Sequence, residues 1–568
     1  MKIFPGIFLV LLIATTLQAD IRLPQVFGDN MVVQRNQPVK IWGWGASGEQ
    51  VTIAFNGQRQ STRAANEKWS IELEPMPASS QPQDMQIIAN DTLVLENILI
   101  GDVWICGGQS NMEWPVHRSN NYEQEIKQAD YPNMRLLDVP HQVTFQPAHD
   151  IPAASWQPAI GEHIRRFSAV GYFFGRHVHT SQDVPIGLIS CNWGGTRAET
   201  WTSAEHLQPF EYTHAPLKLM QSIDMTFEDY QLRGQQEVKT WLNDYYPETD
   251  PGIEEEWFSL EHSVADWDSM FVPGAIEAQQ GMSEFDGVVW FKKRFNLPDH
   301  LSNQNLFLRL GFVRDLDVVY INGKKIGSTF VQSTWRSYPV PQAALNPRGE
   351  NVIAIRVFNA RGDGGLIETN VDKFGLSPQR WDMTPYDLNL AGFWHYKPSS
   401  RLTAPITAEF PEPERVGPND FPSSLYNGML HPLIPFAIRG VVWYQGESNA
   451  KSFDDALRYR EVFPNMIRDW RRQWGSDFDF YYVQLANFNG RVQPCDQPCE
   501  YTWPYLREAQ TQTLALPNTG MAVTIDVGDA TNIHPRDKQS VGKRLGFIAD
   551  AQTYGENVVF SGPRYRSH

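Results

Sequence analysis

At 568 residues the chain is too long for a single hydrophobic core, and domains of roughly 100–200 residues make three to four the expectation. A hydrophobic content of 41% with 12% aromatics indicates folded, globular material. The net charge of −17 argues against a general nucleic-acid binder, which needs clustered Lys and Arg to neutralise phosphates, and favours a neutral or locally shielded substrate.

Lys2, the apolar run Ile3 to Ile13 and the small and polar residues ending at Ala19 read as a secretory signal peptide over residues 1–19, placing the mature protein in the periplasm or outside the cell. The run is too short for a membrane span, no later segment approaches that length, and a soluble, exported chain is expected. Residues 20–100 carry short strand patterns separated by turn signals: Val39–Trp44, Val51–Phe55, Trp69–Leu73 and Met85–Ala89, with Asn56-Gly57 and Asn90-Asp91 between. Regular short strands with such turns predict a small β-sandwich.

From residue 101 to 205 the texture changes to α/β. Val103–Cys106 reads as a buried strand that breaks at Gly107-Gly108 and then presents Ser110 beside Asn111. A serine hydroxyl acts as a nucleophile when it stands clear of the backbone, near a base, with amide N–H groups aimed at the developing oxyanion. A helix starting near Asn111 would supply such amides; equally, a serine at this place is an ordinary helix cap. Phe167, Val170, Phe173, Phe174 and Val178 then recur at helical spacing before the run Ile186–Ser190.

Residues 206–255 read as a polar helical linker and 256–380 as an inserted β-domain. Val288–Pro298, Leu306–Leu310, Asp317–Gly323 and Asn351–Phe358 alternate apolar and polar residues around turns. Trp-Phe-Lys-Lys-Arg-Phe and Val-Tyr-Ile-Asn-Gly-Lys in this stretch resemble the jelly-roll sugar-binding modules attached to many glycosidases; a purely structural sandwich fits them as well. Strand and helix alternate again over 381–568: Ile438–Tyr444, Leu457–Trp474, Phe480–Leu485, Pro504–Ala515, Met521–Ile525 and Lys538–Ala549. The two stretches predict an α/β layer with a mostly parallel sheet. Cys106 and Cys191 end apolar runs and read as buried thiols, whereas Cys495 and Cys499 have a spacing that closes a small disulfide loop.

Open α/β sheets place their sites at the carboxyl ends of strands, and each strand end here carries chemistry. The Ile186 strand runs into Cys191-Asn-Trp-Gly-Gly-Thr-Arg197, where Gly195 offers an unhindered backbone N–H. The Ile438 strand runs into Trp443-Tyr-Gln-Gly-Glu-Ser-Asn449, where Gln445 offers a side-chain amide and Glu447 either a carboxylate or a helix cap. Past the Met521 strand, His534 stands just before a helix. Arg197 reads either as a binder of a substrate carboxylate or as a bridge between loops. Trp114, Trp193, Trp201 and Trp443 flank these segments, Trp193 as a further candidate substrate contact through ring stacking on a sugar. His431, also followed by Pro, lacks partner motifs and reads as structural.

GGQSNM, NWGGTRAETW, WYQGESN and IHPRDKQSVGKRL together resemble the motif blocks of the SGNH-type sialate O-acetylesterase family, over roughly half the chain. The resemblance implies a three-layer SGNH-hydrolase-like α/β core with an N-terminal β-sandwich and an inserted β-domain. It implies Ser110 as nucleophile, His534 as general base, an oxyanion hole from the Ser110 and Gly195 amides with Gln445 as a further donor, and an O-acetylated carbohydrate as substrate. No metal or organic cofactor is required by such a mechanism. One departure stands out: many SGNH enzymes carry Asp three residues before the catalytic His, where this chain has Thr531. The orienting acid is then Asp529, Asp526 or Glu447, or the site is a Ser-His dyad oriented by a backbone carbonyl. The enzymatic alternative is an acetylxylan or pectin acetylesterase, and the non-enzymatic one a carbohydrate-binding protein with an inert hydrolase core.

Overall fold

A computed structural model describes residues 21–302, 304–330, 335–367, 371–378, 387–411, 417–488, 502–530 and 532–563. The signal-peptide segment and the Cys495/Cys499 pair lie outside the described residues. The chain divides into two compact units, one formed by Met1–Phe227 with Gly417–His568 and the other by Glu228–Val416.

In the first unit, the N-terminal strands follow their sequence pattern. Val39–Trp44 pairs antiparallel with Lys68–Leu73, with apolar side chains buried at every second position. Gln50–Phe55 folds back on Gln58–Arg63 through Asn56 and Gly57, both at positive φ as a two-residue hairpin turn requires. Thr92–Gly108 is one long strand. Its first half pairs antiparallel with Ser79–Ile88 and its second half pairs parallel with Ile186–Asn192, so the expected division near residue 100 falls inside a continuous strand. An ion pair between Arg35 and Asp102 at 2.8 Å, with the Tyr554 hydroxyl donating to Asp102 at 2.9 Å, reinforces that junction.

The core sheet is ordered Thr519–Ala522, Asp479–Val483, Gly440–Tyr444, Thr92–Gly108, Ile186–Asn192, Asp130–Asp138 and Gln157–Ile160. All neighbours are parallel except the last pair. Helices cover both faces. Ala169–Gln182 packs Phe174 on Trp104 at 5.0 Å between ring centroids, and Trp470 of Phe453–Trp474 packs on Trp443 of the neighbouring strand at 5.5 Å. Lys538–Gln552 lies so close to Ala169–Gln182 that a Cβ on Gly542 would stand 2.5 Å from the Phe173 Cβ. The last strand stops at Ala522, short of the expected Ile525. Val523 and Ile525 are 43% and 50% exposed, because the chain leaves the sheet edge there for the His534 loop.

The second unit is a β-sandwich of two sheets closed over a common core that includes Val289, Phe291, Leu308, Val319 and Ile355. Gly392–Arg401 pairs with both Gly287–Asn296 and Asp268–Val272, so the inserted β-structure runs past the expected boundary at 380. The polar segment expected as a helical linker forms two longer helices, His214–Ser222 and Phe227–Tyr245, together with the short turns Glu211–Thr213 and Pro251–Glu254. Trp241 of the second packs against Phe358 and Phe410, so that helix is part of the sandwich unit. Asp250 holds this region together by accepting from Arg356 at 2.6 Å and from the Trp290 indole at 2.9 Å.

Candidate active site

Register decides which residues meet. Gly108 lies opposite Asn192 on one side and Tyr444 on the other, so the three strands end at the same level and release their next residues into one place. The Thr92–Gly108 strand is also where the sheet order reverses, the crevice in which open α/β sheets bind ligands. Gly108 sits at φ +139, and a Cβ there would stand 2.2 Å from the Tyr444 carbonyl oxygen. Only glycine lets the two backbones approach this closely. Gln109 then fixes the turn, its side-chain carbonyl accepting from the Gly446 and Ser448 amides at 3.3 and 3.2 Å.

Ser110 opens a single helical turn, Ser110–Glu113. Its Oγ lies 2.8 Å from Nε2 of His534, the distance at which a hydroxyl donates to a neutral imidazole. The ring of Trp114 stacks on the imidazole at 5.0 Å and 18°. Burial, with help from the charges of Lys538 and Arg118, pushes the His534 pKa down to about 4, which keeps the ring unprotonated at neutral pH. Facing Ser110 is the Trp193–Gly195 loop. Gly194 packs on the serine, a Cβ there standing 3.2 Å from the Ser110 Cβ, and its amide donates to Glu113 Oε2 at 2.5 Å. Gly195, at φ +78 with open space around it, follows. Among the described residues neither the Ser110 nor the Gly195 N–H is engaged by a protein acceptor. Trp193 stacks face to face on His141 at 4.0 Å, and His141 lies 3.6 Å from Glu113, making a part-exposed aromatic wall beside the turn.

Residues 100–233 and 420–548 match the family model for carbohydrate esterases described as sialic acid-specific acetylesterases. The chain is similar to this carbohydrate esterase family over these two stretches, a little under half of its length. Over 94% of its length it is 25% identical to a mouse sialate O-acetylesterase, and over 98% it is 24% identical to the human protein, covering 74% and 77% of those relatives. A solved carbohydrate acetylesterase from Xanthomonas citri shares the fold at 24% identity and a TM-score of 0.57, over 96% of this chain and 78% of that one. Residues 262–363 match the model for the second all-β domain of β-galactosidases.

The other candidate residues sit as follows. Gln445 is fully buried and its amide is saturated: Nε2 donates to the Thr196 carbonyl at 3.1 Å and to Asn449 Oδ1 at 2.7 Å, while Oε1 accepts from the Tyr459 hydroxyl at 2.7 Å. Both amide hydrogens are taken, so the expectation of an oxyanion donor is corrected: Gln445 ties the strand end to the Gly195–Thr196 loop. Arg197 pairs with Asp455 at 2.7 Å and Glu199 at 3.4 Å, the loop-bridging arrangement of the two considered. Asp526 is bound through both oxygens by Arg544, Asp529 accepts from the Asn532 amide at 3.1 Å, and Glu447 accepts from Asn111 at 2.6 Å. Among the described residues none of these three carboxylates forms an ion pair with the His534 ring.

Trp114 and Trp193 line the site, whereas Trp201 and Trp443 are core residues packed edge to face at 6.1 Å. Cys106 and Cys191 are buried free thiols, their pKa values raised by burial, and His431 bonds the Ala148 carbonyl at 2.9 Å. Sequence reasoning missed Gly194, Glu113 and Lys538. The Gly-Gly pair signalled a close approach without telling which glycine touches the serine, and a lysine in a helix pattern gave no sign that its ammonium would be buried. Among the described residues no group of three or more His, Cys, Asp or Glu could hold a metal ion, and no helix is long and apolar enough to cross a membrane.

Proposed function

We propose that this chain is an exported O-acetylesterase of acetylated sugars, sialic acids first among them, acting through an acyl-enzyme on Ser110 in an SGNH-type three-layer core. The observation that carries the reading is the 2.8 Å contact between Ser110 Oγ and an imidazole kept neutral, at the switch point of the sheet. His534 takes the hydroxyl proton as Oγ attacks the acetyl carbonyl, the oxyanion is held by the Ser110 and Gly195 amides, and His534 returns the proton to the sugar oxygen as it leaves. Water activated by the same ring then releases acetate. The names of the mouse and human relatives support sialic acid as the sugar.

The test is hydrolysis of 4-nitrophenyl acetate and acetate release from O-acetyl sialic acids, with acetylated xylan and pectin in parallel. Ser110→Ala is expected to lower kcat by at least roughly 10³-fold. Unchanged activity in that variant sinks the serine mechanism, and preference for the plant polysaccharides moves the substrate. Glycan binding without hydrolysis by the wild type makes the chain a binding protein.

A further inference from the structure

Behind the Ser110–His534 pair lies a second polar assembly that the proposed mechanism does not use. Asn111, adjacent to the nucleophile and 1% exposed, donates from Nδ2 to Glu447 Oε1 at 2.6 Å and to the Ile533 carbonyl at 3.0 Å. Its Oδ1 accepts from Lys538 Nζ at 2.5 Å. Glu447 and Lys538 are themselves 3% and 0% exposed, and the ammonium lies over the rings of Tyr444 and Trp114 at 5.4 and 5.7 Å. Burial pushes the Lys538 pKa down to about 7 while Glu447 pulls it back up, and a buried lysine and carboxylate linked through one amide carry a desolvation cost that apolar residues of the same size would avoid.

We propose that Asn111, held from either side by Glu447 and Lys538, is the positioning residue that sets the base against the nucleophile. This rests on the Ser110–His534 reading. The peptide unit between Ile533 and His534 is planar, so a hydrogen bond to the Ile533 carbonyl fixes the orientation of the bond from which the imidazole projects. The donor of that bond belongs to the residue joined to Ser110. One side-chain amide thus references the base's backbone to the nucleophile's backbone, across 422 residues of sequence. Glu447 and Lys538 define the amide's orientation, the carboxylate claiming the N–H side and the ammonium the carbonyl side. Lys538 also opens the helix that follows His534 and acts on the imidazole through its charge, as does Arg118; Glu447 faces it through Asn111.

The variant Asn111→Asp keeps the acceptor for Lys538 and removes both donors at nearly unchanged volume. Misplacing reacting groups by about 1 Å costs about a hundredfold. On 4-nitrophenyl acetate, kcat is therefore expected to fall about a hundredfold with KM within about twofold, in a protein whose thermal melt shows it folded. A folded Asn111→Asp with kcat within about threefold of wild type overturns the proposal. Should that variant not fold, Glu447→Leu and Glu447→Gln take its place: Gln keeps an acceptor for Asn111 and is expected to recover most of the kcat that Leu loses, and equal losses overturn the proposal. Lys538→Met should move the acid limb of kcat/KM upward, a readout that a merely structural lysine would not change; an unmoved limb refutes the part assigned to Lys538. Ser110→Ala run alongside separates the two readings. If it retains activity, both fall; if it is dead while folded Asn111→Asp is normal, only the clamp falls.

Discussion

The His534 environment makes a specific statement about pH. Desolvation, Lys538 and Arg118 all disfavour the imidazolium, and the pKa is lowered from 6.5 to about 4. The neutral form, which alone can take the Ser110 proton, therefore persists well into acid. At pH 5.5 a base with a pKa of about 4 is about 97% neutral, whereas an unperturbed imidazole is only about 9% neutral, a tenfold difference in active enzyme. The measurement is kcat/KM for 4-nitrophenyl acetate, read as acetate released, between about pH 3.5 and 8. That ratio reports the ionisations of the free enzyme. The sign is fixed by the direction of the shift: activity is retained as pH falls through 6.5 and is lost as it falls through about 4. The same shift acts on stability. The unfolded chain takes up a proton at this residue between 6.5 and about 4 that the folded chain refuses, so stability also declines across that window and a parallel thermal melt must show the protein folded at each pH. An acid limb near 6.5 in folded enzyme would refute the reasoning, since it would require solvent or a carboxylate at the ring that compensates the burial and the two cations.

Two further substitutions probe the frame of the site. Gly108→Ala would drive a Cβ to 2.2 Å from the Tyr444 carbonyl oxygen at φ +139, and because both sides are backbone the central strands must part. A loss at the top of the roughly 1–3 kcal/mol range of overpacking is expected, measured as a drop in thermal midpoint or in soluble yield. Gln445→Leu leaves the buried Tyr459 hydroxyl without its acceptor and should cost about 1–3 kcal/mol in a denaturant titration. At a temperature where that variant is folded, kcat should stay within several-fold of wild type, against the loss of about 10²–10³ that removal of an oxyanion donor brings.

The candidate site was legible in outline because its parts lie at strand ends, and strand ends can be read from apolar runs that break into glycine. Once Gly108, Asn192 and Tyr444 share a level, the turn with Ser110 and the loop with Gly195 face each other, and a histidine after the last strand is the natural base. The direction in which a polar side chain points from such an end is set by partners hundreds of residues away. Gln445 had the right chemistry and the right address for an oxyanion donor, yet Thr196, Asn449 and Tyr459 turn it inward and saturate it. Lys538 shows the converse: its spacing gave it a place in a helix pattern, while its burial follows from Asn111, Tyr444 and Trp114, which arrive from two other segments. The same limit applies to the insertion. Its strands are visible one by one, but that Gly392–Arg401 belongs with Gly287–Asn296 rather than with the α/β texture after it is a matter of pairing across about a hundred residues, which no local periodicity encodes. Strand identity is thus a local property and strand membership a tertiary one, and the uncertain residues at a site are those whose role depends on the second.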